Sequence, residues 1–412
     1  LIQIKDKPIG PVYYERMRFF SFFSSALWSI AFRPFFLGAA FHSLFAILVW
    51  ILILFSVIPS PFLVGGIQMH AYEMVFGFSR AILVGFIFTA GQNWTKTVLI
   101  QGKELFFLFA LWVLGRFCFL PSQAVSYASL TFDLYFDILV LFYILPPFFK
   151  KGQEHNRIVA VLYSIFFFLH VLTAFSFLGA ISTEWSMHFV HLSVFSVLQF
   201  ILLIAGRILP FFSSVAIAGS SPKKFPILEK AIQYGGLLFL GIKSGTYLIP
   251  EWNIYAGYFC ISFSFLNFVR WYFWEPWKSI RVPILWILHT GYFWLSAGFL
   301  YLGLSHLGIF PVSSAYHIFT AGAIGVFVYG MITRVSLGHT GRPMRASKLT
   351  VLGYVFINLA VILRVFLPLW NRYREAYSLS AALWIGAFFF FLTQYAGILI
   401  NPRADIKPAS RA

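Results

Sequence analysis

Charge is what this chain has least of. Its 412 residues include 30 Lys and Arg and 13 Asp and Glu, so 10% are charged and 60% are apolar. A soluble domain carries about 25% charged and about 45–50% apolar residues. The shortage excludes a soluble enzyme, a disordered chain and a nucleic-acid-binding domain as the main reading. Cysteine is almost missing too. Cys118 and Cys260 are the two present, both in apolar runs, which excludes a disulfide framework and a thiolate metal site. The basic, amphipathic N-terminal stretch has no A-x-A-like cleavage site before the first long apolar run, so no cleaved leader is expected.

What is there in abundance is apolar sequence. Mean hydropathy is +0.83, and the fold class expected is an all-α polytopic membrane protein. A span needs about 20 mainly apolar residues. Twelve runs qualify: 35–58, 71–91, 104–121, 128–149, 158–180, 186–209, 229–249, 253–274, 284–304, 314–334, 349–369 and 379–400. They divide the chain into an N-terminal cytoplasmic segment (1–34), one membrane domain (35–400) and a cytoplasmic tail (401–412). Prolines at 59, 61, 146, 147, 250 and 283 mark several run ends, because proline interrupts the helical ladder.

The net charge of +17 reads as topology rather than as a nucleic-acid footprint, since Lys and Arg collect in cytoplasmic loops. Lys5, Lys7, Arg16, Arg18 and Arg33 precede the first run, and 59–70 has no Lys or Arg. The alternation then holds along the chain until residues 370–378, where Arg372 and Arg374 break it. It places both termini on the cytoplasmic side and the starts of the even-numbered spans at the outer face.

A titratable group inside a span costs roughly 2.5–3.5 kcal/mol on insertion scales and is a functional candidate by default. Histidine is the main one. His70 starts span two, His188 and His191 start span six, and His317 lies about one turn into span ten, so these four share one depth. His42, His170 and His289 lie in spans one, five and nine. The separations His42–His70 and His289–His317 are both 28, and His170–His191 is 21. The recurrence suggests three four-helix pseudo-repeats. Neutral imidazole is a common ligand of metals and of haem iron, and facing histidines at one height can hold a haem; inter-helix hydrogen bonding and packing is the competing reading. Glu73 lies three residues from His70, as a carboxylate oriented on a metal-bound histidine or a solvated group at a helix start. Arg80 lies about 15 Å deeper and must face protein, water or an anion. Arg116 and Asp133, at similar depth, are expected to form an ion pair. The opposite ends of the same spans gather Asn93, Arg207, Arg334, His339 and Arg342, as an anion site, a cytoplasmic entry or topology anchors.

Several stretches resemble the NnrS family of bacterial membrane proteins: AFRPFFLGAAFH from Ala31, HAYEMVFGF from His70, GFIFTAGQNWT from Gly85, GRILPFF from Gly206, PILWILHTGYFWL from Pro283, and HIFTAGAIGVFVYGMITRVSLGHTGR from His317 to Arg342. The resemblance implies an inner-membrane protein containing haem, of b type, and copper, linked to nitric oxide metabolism and protection from nitrosative stress. His317, Arg334, Gly338, His339 and Arg342 follow the family pattern. The family's W-H-x-H-E-M reads Met69-His70-Ala71-Tyr72-Glu73-Met74 here, so its second histidine is Tyr72, which becomes a candidate iron ligand. Haem-copper oxidases have a similar twelve-span plan with haem ligands on spans two and ten, but span ten here has no second histidine and span seven has none, so a full binuclear centre is not expected.

The resulting expectation is a membrane haem protein that binds or converts nitric oxide, with His70 and His317 as axial ligands. His191 and His188 are alternative ligands or a second metal site. A transporter using His, Glu73 and Arg80 as a substrate or proton path, and a quinol-linked oxidoreductase, are the competing classes.

Overall fold

The computed structural model describes residues 22–59, 64–117, 120 and 122–405. Cys118 and residues 1–21 of the expected N-terminal cytoplasmic segment lie outside the described residues. The described chain is helical, with no strand. Its main helices are α1 (Phe32–Leu54), α2 (Gly66–Thr95), α3 (Gly102–Leu114), α4 (Gln123–Phe148), α5 (Arg157–Phe177) and α6 (Thr183–Ala216). These are followed by α7 (Pro226–Leu248), α8 (Trp252–Tyr272), α9 (Pro283–His306), α10 (Val312–Gly338), α11 (Lys348–Trp370) and α12 (Tyr373–Ile400). Proline opens α7 and α9 at their first position, where its missing N–H has no partner to lose. Ser347 opens α11 by accepting from the Thr350 amide at 3.1 Å.

Nine of these helices are long and apolar enough to cross a membrane: all but α3, α7 and α8. The expected twelve runs coincide with twelve helices, but their lengths differ. α3 stops after 13 residues, about 20 Å of rise, short of the roughly 30 Å hydrocarbon core. The run expected to reach residue 121 ends because Gly115 packs directly on Asp133 and the following Arg116 turns inward to reach it. α7 and α8 are diluted by Glu229, Lys243, Asn267 and Arg270. α6 runs beyond its expected end, continuing through Pro210 to Ala216.

Sequence neighbours pack side by side, and α12 returns to pack along α1. Trp384 donates to Ser43 Oγ at 2.8 Å near the middle of that contact, and Arg33 donates to the Leu399 and Asn401 carbonyls at 2.7 and 2.6 Å at its end. Inside lie α2, α6, α9 and α10, the most buried of the spanning helices. Their apolar residues do not alternate with a polar face, because helices surrounded by other helices are apolar all round. Two interior helices contain a π-helical stretch: Glu73–Ser79 in α2 and Ile318–Val326 in α10. Each begins within three residues of a histidine of the outer set, His70 or His317. Such widened turns often mark functional positions.

Candidate functional site

The N-terminal parts of α2, α6 and α10 enclose a cavity of about 390 Å³, completed by the C-terminal end of α1 and by α11 and α12. That lies within the roughly 300–1,000 Å³ of small-molecule and cofactor sites. The wall is mostly apolar. His70, His191 and His317 all line it, one from each interior helix. Each is held differently. The His70 ring stacks on Trp50 of α1, with centroids 5.1 Å apart and 12° between planes. The His191 ring stacks on Tyr316 at 3.7 Å and 8°. The His317 Nδ1 lies 2.8 Å from the Ser313 carbonyl oxygen, one turn earlier on α10. A carbonyl can only accept, so this contact fixes the proton on Nδ1 and leaves the Nε2 lone pair free. That is the tautomer in which metal-bound histidines are usually held. His70 Nδ1 is buried without a partner.

The shape of the set matters. No group of three or more His, Cys, Asp or Glu among the described residues converges closely enough to hold a bare metal ion. The three imidazoles therefore do not form the small ligand cluster that a metal site of His70, His317 and His191 needs. They line a space of about 390 Å³, within the range of small-molecule and cofactor sites. The wall carries no carboxylate and one charged residue, Arg364 of α11.

Two other candidates lie elsewhere. His188 sits beside Trp185 and the face of Tyr247 of α7 (4.7 Å) and does not reach the cavity. Tyr72 points away from it, into a buried polar network between α1, α2, α4 and α5. There its phenol oxygen lies 2.6 Å from Asp133 Oδ2 and 2.7 Å from His170 Nε2. Arg80, fully buried, pairs with Asp133 and with Asp137 (2.7 Å), and rests 4.7 Å above the Phe136 ring. Arg116 pairs with Asp133, as expected, and with Glu73 at 2.7 Å. Glu73 Oε2 is also 2.9 Å from His42 Nε2. Asp137 completes the network with His170 Nδ1 (2.6 Å) and Tyr163 OH (2.5 Å). Two guanidiniums thus face three carboxylates, with His42, His170 and two phenols filling the remaining positions. Glu73 belongs to this network rather than to His70, and Arg80 faces protein.

The polar groups at the far end of the bundle brace loops. Arg207 donates to Asn156 Oδ1 (3.0 Å) and the His155 carbonyl (2.6 Å). Arg334 lies 3.7 Å above the Phe212 ring. The His339 carbonyl accepts from Arg403, and Arg342 donates to the Thr340 carbonyl. Asn93 is exposed, and His289 Nε2 lies 3.1 Å from Ser213 Oγ. None of these reaches the cavity.

Sequence reasoning missed Arg364, Trp50 and Tyr316. Arg364 carried a usable signal, a charge inside the expected span 349–369. The aromatic residues carried none, because aromatics fill 21% of the chain.

A polytopic helical membrane protein with a histidine-lined cavity between its interior helices is the class that the fold and site define. The chain belongs to the NnrS family: the family model, described as NnrS protein, matches residues 26–403, nearly the whole chain. Comparison with curated proteins gives no match.

Proposed function

We propose that the chain is a haem-binding protein of the bacterial inner membrane that acts in the nitric oxide response, with both termini in the cytoplasm and the cavity near the outer face. The observation that carries this reading is the cavity itself. Three histidines from three interior helices line one apolar space, and His317 is fixed in a ligating tautomer by Ser313. His70 and His317 would hold the haem iron in this reading. His191, stacked on Tyr316, forms the third polar side of the wall. The residues fit a planar apolar macrocycle; they fit copper less well, since no three-ligand cluster is present among the described residues. A haem held here supplies binding of small diatomic ligands and one-electron chemistry. The protein supplies ring orientation and exclusion of water, and the surrounding lipid and apolar wall admit nitric oxide, which is small and uncharged.

The test is the optical spectrum of the purified protein, oxidised and reduced, with and without nitric oxide. His70→Ala and His317→Ala are expected to lose most of the bound haem, measured per mole of protein, while His188→Ala retains it. Full haem in both cavity variants overturns the assignment. A transporter is the second reading, favoured by the Arg80–Asp133–Asp137–His170 network, since ionisable groups inside the membrane also mark proton and substrate paths. It leads if the protein shows no Soret band after haem supplementation. Reduction of the Soret species by a quinol, to the extent that dithionite achieves, identifies the quinol-linked variant.

A further inference from the structure

The guanidiniums inside this bundle are held in different ways: buried Arg33 donates to the Leu399 and Asn401 carbonyls, and Arg334 rests on the Phe212 ring. Arg80, Arg116 and Arg270 each have a carboxylate partner inside the protein: Asp133 and Asp137, Glu73 and Asp133, and Glu229. Arg364 has none among the described residues. It lies on α11, lines the histidine cavity, and rests with its guanidinium 4.5 Å from the centre of the Tyr377 ring of α12. No Asp or Glu lines the same wall. A cation over an aromatic face recovers only about 0.5–2 kcal/mol, and an arginine at membrane depth is costly without an anion.

A second observation points the same way. Arg372 and Arg374, just beyond α11, are the residues that break the Lys and Arg alternation along the chain. Arg372 is accounted for by Glu375, at 2.8 Å. Arg374 has no carboxylate partner among the described residues and rests 5.6 Å from the ring of Phe55, next to Leu54 of the cavity wall. The cavity end of the bundle is therefore cationic where topology alone calls for no positive charge.

We propose that Arg364 is the anion-binding residue of the cavity and receives a carboxylate arm of its occupant. Resting on the haem reading above, that arm is a haem propionate. The planar guanidinium matches a carboxylate with two parallel hydrogen bonds. The contact orients the macrocycle, turning its acidic edge toward α11 and α12 and its apolar edge toward the interior. A lipid phosphate is the other source of an anion at this depth.

The experiment compares haem with its dimethyl ester, which has the same iron and ring but no free carboxylate. Both are titrated into the purified full-length protein obtained from haem-limited cells, and binding is read from the Soret band. The wild type is expected to bind haem roughly tenfold or more tightly than the diester, since hydrogen bonds to charged groups are worth about 1.5–3 kcal/mol. Arg364→Gln is expected to weaken haem about as much, leave the diester unchanged and so abolish the preference, and Arg364→Lys to keep part of it. The Soret band of the diester complex reports that Arg364→Gln is folded. Equal binding of the two haems by the wild type, as lipid phosphate at Arg364 would give, overturns the proposal. So does a preference that survives in Arg364→Gln. If neither compound binds the wild type, the haem reading itself has failed and this proposal falls with it.

Discussion

Tyr72 and His70 stand two residues apart on α2 and face opposite ways. The His70 imidazole lines the cavity against Trp50, and the Tyr72 phenol lies 2.7 Å from His170 Nε2 on the far side of the helix. Successive helical residues diverge by about 100°, so the position of the family's second histidine belongs to the ion network here. Tyr72 is not placed to ligate anything in the cavity.

It follows that Tyr72→Phe should leave cofactor content untouched. The substitution removes one hydroxyl shared by Asp133 and His170 and is expected to cost about 1–3 kcal/mol of stability, the range for a buried polar group left unsatisfied. Thermal unfolding in detergent alongside haem content checks both halves. A loss of haem as large as that of His70→Ala contradicts this placement.

Arg80 holds two carboxylates in a fully buried setting. Arg80→Met leaves Asp133 and Asp137 facing each other with less compensation, and breaking a buried pair typically costs about 3–5 kcal/mol. Arg80→Met combined with Asp137→Leu should recover part of that loss. Thermal midpoints of Arg80→Met, Asp137→Leu and the double variant measure it. A double variant less stable than the sum of its single changes contradicts a mutual pairing.

Gly77 lies in the π-helical stretch of α2 beneath the same network. A Cβ built there lies 2.5 Å from His42 Nε2 and 2.7 Å from both Arg116 Nη1 and Glu73 Oε2. Gly77→Ala is expected to push Arg116 away from Glu73 and to destabilise by about 1–3 kcal/mol, as overpacking does. Gly397→Ala, where nothing lies within 4 Å of the added carbon, is the matched control and should change the unfolding midpoint little.

Ser313 acts on His317 through its carbonyl, so changing its side chain leaves that contact in place. The contact is read directly at the ring: nitrogen-15 NMR of the haem-free protein, with His317→Ala used to assign the signal, is expected to show His317 protonated at Nδ1 and bare at Nε2. A proton on Nε2 instead contradicts it.

Much of the fold was legible because length and hydropathy are one-dimensional properties. Every expected run overlaps a helix, and His70, His191 and His317 of spans two, six and ten line one cavity. Helix ends were harder. α3 ends where Arg116 turns toward Asp133, a contact set by another helix and invisible along α3 itself. Facing was hardest. His188 and His191 lie three residues apart at one depth, yet one meets Tyr247 and the other Tyr316. Hydrophobic periodicity gives the azimuth of a residue on a helix with one buried side, but α6 is buried nearly all round, so sequence did not say which neighbour each histidine meets. The same ambiguity separated Tyr72 from His70.

The wall of the histidine cavity is drawn from α1 and α12, helices separated by nearly the whole length of the described chain, as well as from the interior. Among the described helices these are the first and the last to be synthesised. Until α12 docks on α1, the side bearing Tyr377 and Trp384 is missing and the space is open to lipid. The cavity is thus complete only when α12 has docked, so an occupant is enclosed by closure of the bundle and not during insertion of its earlier helices.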